Sequence, residues 1–249
     1  MNSKIGLFDS GLGGLSILKG LLKELPNEDY LFYEDSINNP YGNKTDEELF
    51  DITSNIVDYL IKENCKLIVI ACNTATTSCM KKLREKYPNT IFVGTVPAIK
   101  VAYDNHYKEV INLSTPSTRN SKRVDELISM FISDDEHIYN ISGENLANLI
   151  ELDNKEEIDK LLHNLLDEYK DLADALVLGC THYSLIKDEI NKVLPNTALL
   201  DGVEGISREV KRQLTNNNLL NPRLEKGSIK IINSKSDDLI DRSYKILEK

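Results

Sequence analysis

Two cysteines occupy matching positions in an internal repeat of the sequence. The first copy is KLIVIACNTATTSCMKKLREKYPNTIFVG and the second is DALVLGCTHYSLIKDEINKVLPNTALLDG. In each copy an apolar strand is followed by a cysteine, Cys72 or Cys180, and then by a helix that ends at Pro-Asn-Thr. The N–H groups and the dipole at a helix N-terminus favour the thiolate form of such a cysteine. A lone cysteine there is more often a buried, inert residue, but the matched pair favours a functional role.

Two thiols offered by two similar halves of a protein suit one particular reaction. One thiolate takes the proton from a carbon atom as general base, and the opposite thiol returns a proton to the other face as general acid. The configuration at that carbon is inverted, so the reaction is a racemisation. Because the α-hydrogen of an amino acid is very weakly acidic, the site must also stabilise negative charge with preorganised donors and exclude water.

Further polar side chains lie beside these elements in the sequence. Asp9 and Ser10 follow the first apolar run, in FDSGLGG, and His182 follows Cys180 by two residues. Asp9 and His182 are candidates for steering protons at the thiol of their own half. For His182 an equally good interpretation is a histidine at a helix N-terminus that forms hydrogen bonds only with backbone groups or water. A glycine-rich turn after a strand also suits a dinucleotide, but these glycines do not follow the G-x-G-x-x-G pattern.

The elements that must position these residues alternate between strands and helices. Apolar runs predict strands at KIGLFD, DYLFYED, KLIVIA, TIFVGTV, VINLST and ALVLGC. Helical periodicity follows in LSILKGLLKELP, and Thr45 with Glu48 forms a capping-box pattern before another helix. This alternation predicts an α/β fold with mostly parallel sheets flanked by helices, and the repeat predicts two similar lobes. Ligand sites of such sheets lie where the strands end.

Composition excludes several classes of protein. The chain has 249 residues, with 30 Lys+Arg against 40 Asp+Glu, a net charge of −10. This acidic balance disfavours binding to nucleic acid, and no apolar run is long enough to span a membrane. The N-terminus has no pattern of a secretory signal, so we expect a cytoplasmic protein with reduced cysteines. No C-x-x-C pair occurs among the four cysteines and the four histidines are scattered, so we expect no metal site.

The motifs together resemble a known family. GLFDSGLGGLSIL, DSINNPYGNKT, IACNTATT, LSTPSTRNS and LGCTHYSLI, in this order, are similar to the aspartate/glutamate racemase superfamily, from about Ile5 to Gln213. The resemblance implies two pseudo-symmetric lobes with the active site in the cleft between them. It places residues 1–97, completed by 207–249, in the first lobe and residues 98–206 in the second.

The resemblance also implies an activity, the cofactor-independent interconversion of L- and D-glutamate by two cysteine bases. The implied catalytic residues are Cys72, Cys180, Asp9, His182 and Glu151. The implied substrate-binding residues are Asp9, Ser10, Tyr41, Gly42, Asn73, Thr74, Thr115, Thr118, Thr181 and His182. By the same resemblance the enzyme supplies D-glutamate for peptidoglycan in the bacterial cytoplasm, needs no cofactor or metal, and forms a homodimer by analogy with family members.

Two alternatives stay open at this point. An aspartate racemase of the same superfamily uses the same two thiols, and one methylene in the substrate is worth only ~1–3 kcal/mol of discrimination. A non-catalytic amino-acid-binding protein would keep the pocket without turnover. A decarboxylase-type relative needs only one thiol, so the presence of both Cys72 and Cys180 counts against it.

Overall fold

The chain divides into two compact units. The computed structural model describes residues 3–131 and 136–248. The first unit consists of Met1–Thr95 with Val203–Lys249, and the second unit consists of Val96–Gly202. The sequence predicts the lobe bounds at 97/98 and 206/207, whereas the internal contacts divide the chain at 95/96 and 202/203.

Nine strands are present in the described residues. In chain order they are β1 (Lys4–Asp9), β2 (Tyr30–Glu34), β3 (Cys65–Ile70), β4 (Phe92–Gly94), β5 (Glu109–Ser114), β6 (His137–Ser142), β7 (Ala175–Leu178), β8 (Ala198–Leu200) and β9 (Ile229–Asn233).

The α-helices of the described residues connect these strands. They are α1 (Leu15–Glu24), α2 (Asp46–Lys62), α3 (Asn73–Lys86), α4 (Ile99–Asp104), α5 (Pro116–Arg119), α6 (Lys122–Phe131), α7 (Leu146–Glu151), α8 (Lys155–Leu166), α9 (Lys187–Val193), α10 (Val203–Asn216) and α11 (Ile240–Glu248). Short 3₁₀ helices are formed by Leu12–Gly14, Tyr41–Asn43, Asp167–Tyr169, Thr181–Ile186 and Asp237–Leu239.

The first unit contains a five-stranded sheet in the order β4-β3-β1-β2-β9, and its strand pairings are parallel. Parallel strands bring their carboxyl ends to one edge of a sheet. The register places Asp9 beside Glu34, and Glu34 beside Asn233, at that edge. The segment before Cys72 ends at the same edge, because Phe8 pairs with Ile70.

The second unit contains a four-stranded parallel sheet in the order β6-β5-β7-β8. Leu113 of β5 pairs with Leu178 of β7, and Ser114 pairs with Ser142 of β6. The segments that follow β5, β6 and β7 therefore leave the sheet at one edge. A core of aliphatic side chains, including Ile111 and Leu176, packs between this sheet and its helices.

The fold confirms the α/β architecture predicted from the sequence. All six predicted strands are present, and the Thr45–Glu48 capping box forms at the start of α2. The helix expected directly after Cys180 begins instead as the 3₁₀ helix Thr181–Ile186 and becomes α-helical only at Lys187. Across residues 3–131 and 136–248, no helix is both long and apolar enough to span a membrane.

Candidate active site

Cys72 and Cys180 occupy the same local position in their respective units. Cys72 is the N-cap of α3, with φ −138° and ψ 121°. Cys180 is the N-cap of the 3₁₀ helix Thr181–Ile186, with φ −138° and ψ 136°. Both are nearly buried, and neither forms a disulfide. Each sulfur therefore lies near the end of a parallel strand, next to the N–H groups at the start of a helix.

Asp9 and Ser10 lie beside this position in the first unit. Asp9, the last residue of β1, is fully buried, and its Oδ1 accepts the backbone N–H of Ser10 at 2.7 Å. The following turn approaches closely, because a Cβ at Gly14 would lie 2.8 Å from both Asp9 Cβ and the Phe32 ring. A side chain at position 14 would therefore force Asp9, Phe32 or the turn itself to shift.

Tyr41 is fully buried, and its hydroxyl donates to Asp35 Oδ2 at 2.7 Å. Burial raises the pKa of Tyr41 well above its usual value, and the negative charges of Asp35, Cys72 and Asp9 add to the effect. The ring thus lies close to the Cys72 and Asp9 side chains. The hydroxyl proton of Tyr41 is already engaged, so a ligand would meet the ring or backbone of the Tyr41–Asn43 turn, in which Gly42 is partly exposed.

Asn73 and Thr74 form the first turn of α3 and are both buried. Within the described parts of the chain, Asn73 Oδ1 has no hydrogen-bond partner. Buried amide oxygens are usually paired. An acceptor next to Cys72 is therefore available to a ligand that donates a hydrogen bond, such as an ammonium group.

Cys180, His182 and Glu151 form a connected group in the second unit. His182 Nδ1 lies 3.8 Å from Cys180 Sγ, and His182 Nε2 lies 2.6 Å from Glu151 Oε1. His182 is buried, and Glu151 is the last residue of α7. Glu151 therefore contacts the histidine that approaches the cysteine.

The protonation of His182 is biased by these two partners. Burial opposes its charged form, but hydrogen bonds to Cys180 and Glu151 and the charges of both groups raise the pKa of His182 well above its ordinary value. A protonated imidazole has an N–H on each ring nitrogen. It can therefore donate to Glu151 and toward Cys180 at the same time.

The remaining residues predicted for the second unit lie at the same edge of its sheet. Thr115 is the N-cap of α5 directly after β5, and its hydroxyl accepts from the N–H of Thr118 and donates to its Oγ1 at 3.0 Å. Thr118 is fully buried, and Thr181, directly after Cys180, is nearly so. This edge thus presents hydroxyl groups beside the Cys180–His182 pair.

Two acidic groups at the edge of the first sheet have roles that the sequence did not indicate. Asp35 accepts from Tyr41 and from Asn38 Nδ2. Glu34 accepts from Asn233 Nδ2 at 2.9 Å and from Ser243 Oγ. The D-x-x-N pattern formed by Asp35 and Asn38 is a local sequence signal for the contact between them. The contact between Glu34 and Asn233 joins residues about 200 positions apart and has no local signal.

Each unit therefore contains part of the predicted set. The first unit holds Asp9, Ser10, Tyr41, Gly42, Cys72, Asn73 and Thr74, and the second holds Thr115, Thr118, Glu151, Cys180, Thr181 and His182. Among the residues that the structure describes, no group of three or more His, Cys, Asp or Glu side chains is arranged to hold a metal ion.

Comparison with known proteins finds relatives over the full length of the chain. The sequence model of the family described as Asp/Glu/Hydantoin racemase matches residues 29–209. The glutamate racemase of Clostridium acetobutylicum is 39% identical over 252 residues, which cover 99% of this chain and 98% of that protein.

Two solved structures are also similar. The glutamate racemase of Francisella tularensis in complex with D-glutamate matches with a TM-score of 0.84 at 27% identity, covering 100% of this chain and 94% of that one. The glutamate racemase of Thermus thermophilus in complex with β-chloro-D-alanine matches with a TM-score of 0.82 at 29% identity, again over 100% and 94%.

The raised pKa of His182 generates a prediction about pH. In the unfolded chain a histidine titrates near pH 6.5, so the stability contributed by protonated His182 is fully present below that pH and is lost as pH rises through the folded pKa. In ¹³Cε1-histidine NMR spectra, the His182 signal, assigned with His182→Asn, should titrate well above pH 6.5. Glu151→Gln should lower that value. A His182 signal that titrates at or below 6.5 contradicts the assigned contacts.

Gly179, which precedes Cys180, generates a second prediction. A Cβ there would lie 2.6 Å from Ser114 Cβ and 2.8 Å from the Leu113 carbonyl oxygen. Gly179→Ala should lower the free energy of unfolding in urea by about 1–3 kcal/mol, the usual cost of overpacking. The control is Gly205→Ala in α10, where no described atom beyond the adjacent residues and the backbone of the helix itself lies within 4 Å of the new Cβ. It should raise stability by about 0.5–1 kcal/mol. Equal losses in both variants would refute the steric explanation.

Proposed function

The chain belongs to the Asp/Glu/Hydantoin racemase family, and on this basis we propose that it interconverts L- and D-glutamate. Relatives named glutamate racemase match it over nearly its whole length. The observation that supports a two-thiol mechanism is the shared backbone position of Cys72 and Cys180, each at the junction of a parallel strand and a helix.

The proposed reaction moves one proton off the substrate and another onto it. The thiolate of one cysteine removes the α-proton and becomes a thiol, and the electron pair of the C–H bond passes to the α-carbon and its carboxylate. The thiol of the other cysteine then delivers its proton to the opposite face of that carbon and becomes a thiolate. The reverse reaction exchanges the two roles, so the mechanism needs both Cys72 and Cys180 for either enantiomer.

The negative charge that develops on the substrate carboxylate must be stabilised by groups already in place. Neutral donors suit this task, because the positive charge of an arginine beside the thiolates would compete with the substrate for interaction with those thiolates. The proposed donors are Ser10, Asn73, Thr74, Thr115, Thr118 and Thr181, of which all but Thr115 are buried. Burial also excludes water, which strengthens each hydrogen bond to the charged intermediate.

Asp9 and the His182–Glu151 pair are proposed to steer protons at the two thiols. Asp9 lies at the end of β1, and the charges of Asp9 and Cys72 both act on Tyr41. His182 lies 3.8 Å from Cys180 Sγ, within the distance of a hydrogen bond to sulfur, and Glu151 holds its other ring nitrogen. Different groups are thus proposed to steer protons at the two thiols: a carboxylate at Cys72, and an imidazole held by a carboxylate at Cys180.

The proposal also has a cellular part. All groups in the mechanism are side chains, so neither a cofactor nor a metal is required. D-glutamate made by this reaction would supply peptidoglycan synthesis in the cytoplasm, and we propose a homodimer by analogy with the family. Chelator dialysis followed by assay tests the first statement, and sedimentation equilibrium tests the last.

Cys72→Ser and Cys180→Ser should each lower kcat/KM for racemisation by at least about 100-fold, because serine is too weakly acidic to provide an alkoxide base near neutral pH. The reaction is followed in deuterated water by optical rotation and by α-deuterium incorporation, starting from each enantiomer. Each variant should still eliminate HX from a glutamate analogue with a leaving group on its β-carbon, since that reaction needs only one base.

The matched control is Cys65→Ser, at the opposite end of the strand that precedes Cys72. Burial raises the pKa of Cys65 to about 12, so its thiol stays protonated near neutral pH. This variant should keep wild-type kcat/KM. If Cys72→Ser or Cys180→Ser racemises at the wild-type rate in both directions, the two-thiol mechanism is wrong.

Substrate preference separates the proposal from its two alternatives. We expect kcat/KM for D-glutamate to exceed that for D-aspartate by about tenfold or more, the discrimination available from one methylene group. Alanine and leucine should turn over far more slowly, because an apolar side chain cannot accept the hydrogen bonds that the second carboxylate of glutamate accepts. A preference for aspartate would assign the chain to aspartate racemisation. Turnover of neither acid would support an amino-acid-binding protein.

A further inference from the structure

The loop that contains Tyr41 and Gly42 is tied to the C-terminal part of the first unit. We define the tyrosine loop as residues 35–43 and the C-terminal segment as residues 229–248, from β9 to α11. β9 pairs with β2, so Asn233 lies beside Glu34, the residue directly before the tyrosine loop. A segment far away in sequence is therefore an immediate neighbour of the candidate site.

Asn233 bridges the two sides of Asp35. Its Nδ2 donates to Glu34 Oε2 at 2.9 Å and to Ser36 Oγ at 2.8 Å. Its Oδ1 accepts the backbone N–H groups of Lys235 and Ser236. The side-chain amide thus uses its donors and its acceptor together, and Asn233 is 7% exposed. Among side chains, only the amides of Asn and Gln carry two N–H donors and a carbonyl acceptor on one planar group.

Neighbouring contacts add to the bridge. The backbone N–H of Ile37 donates to Ser234 Oγ at 3.0 Å, and the N–H of Ser234 donates to the carbonyl of Glu34 at 2.9 Å. The C-terminal segment therefore holds residues 34, 36 and 37, on both sides of Asp35. This fixes the backbone from which the Asp35 carboxyl projects.

Asp35 transmits this restraint into the site. Its carboxylate accepts from Tyr41 Oη at 2.7 Å and from Asn38 Nδ2 at 3.0 Å. Tyr41 packs in the same buried cluster as Cys72. A change in the position of Asp35 would therefore move a ring that packs in the same cluster as Cys72.

We propose that Asn233 is a positioning residue for the Cys72 half of the site, acting through Ser36 and Asp35 on Tyr41. The effect of Asn233 on catalysis rests on the proposed function. Asn233 itself is not proposed to contact the substrate. The inference predicts that loss of the bridge disturbs Cys72 and leaves Cys180, in the other unit, unaffected.

The rate of cysteine alkylation by iodoacetamide tests the positioning role of Asn233 without a measurement of enzyme activity. The rates at Cys72 and Cys180 are measured in the same sample by peptide mass spectrometry. Asn233→Ala and Ser36→Ala should each raise the rate at Cys72 by about fivefold, the factor that corresponds to one lost hydrogen bond. The rate at Cys180 should stay within about twofold of wild type. Ser36→Ala keeps the Asn233–Glu34 contact, so it decides the question if Asn233→Ala does not fold.

The matched control is Ser243→Ala. Ser243 is fully buried in α11 and donates to the other oxygen of Glu34, but it is not the residue that reaches the tyrosine loop. This variant removes a buried hydrogen bond to the same carboxylate and should leave the Cys72 rate unchanged. The proposal is overturned if Ser243→Ala raises the Cys72 rate as much as Asn233→Ala does, or if Cys72 and Cys180 rise together.

A kinetic measurement adds a quantity that general destabilisation of the fold would not change in one reaction direction alone. The primary isotope effect of α-deuterated glutamate is measured from each enantiomer. Disturbance at Cys72 slows proton removal only when Cys72 is the base, so Asn233→Ala should raise the isotope effect in one direction alone. Equal changes in both directions contradict the proposal. If neither enantiomer reacts with the wild-type protein, the proposed function fails, while the alkylation rates still decide the role of Asn233.

Discussion

The constraint on which the rest of this structure depends is the parallel pairing of strands that are buried on both faces. Such strands carry few polar side chains along their length, so most polar groups that could act in chemistry lie at their ends. β1 ends in Asp9 and β2 in Glu34, and Cys72 and Cys180 each follow a strand of their sheet after one intervening residue. Both candidate half-sites thus arise from the same rule of sheet construction.

Burying polar groups at these edges creates a cost that the fold must offset, because an unpaired buried carboxylate is strongly unfavourable. Each acidic group described here has specific partners: Tyr41 and Asn38 for Asp35, Asn233 and Ser243 for Glu34, and His182 for Glu151. The same hydrogen bonds that offset desolvation also hold the side chains in one arrangement. Stability and preorganisation of the site therefore have a common origin.

Local patterns in the sequence predict much of this structure. Long apolar runs predict β1, β3 and β7, and a strand–cysteine–helix repeat locates Cys72 and Cys180. Two strands that were not predicted lie at sheet edges: β6 (HIYNIS), which is exposed or half-buried throughout, and β9 (IKIIN). The Asn233–Glu34 contact could not be predicted, because it depends on the pairing of β9 with β2, which no local pattern specifies.

The two units match in the backbone position of their cysteines but not in the groups that support them, and the proposed reaction explains why this is allowed. L- and D-glutamate have equal free energies in water, so the equilibrium constant of racemisation is one. The ratio kcat/KM must then be equal in both directions, whatever groups surround each thiol. A carboxylate near Cys72 and an imidazole near Cys180 can therefore divide a common kcat/KM differently between kcat and KM, but they cannot favour one enantiomer overall.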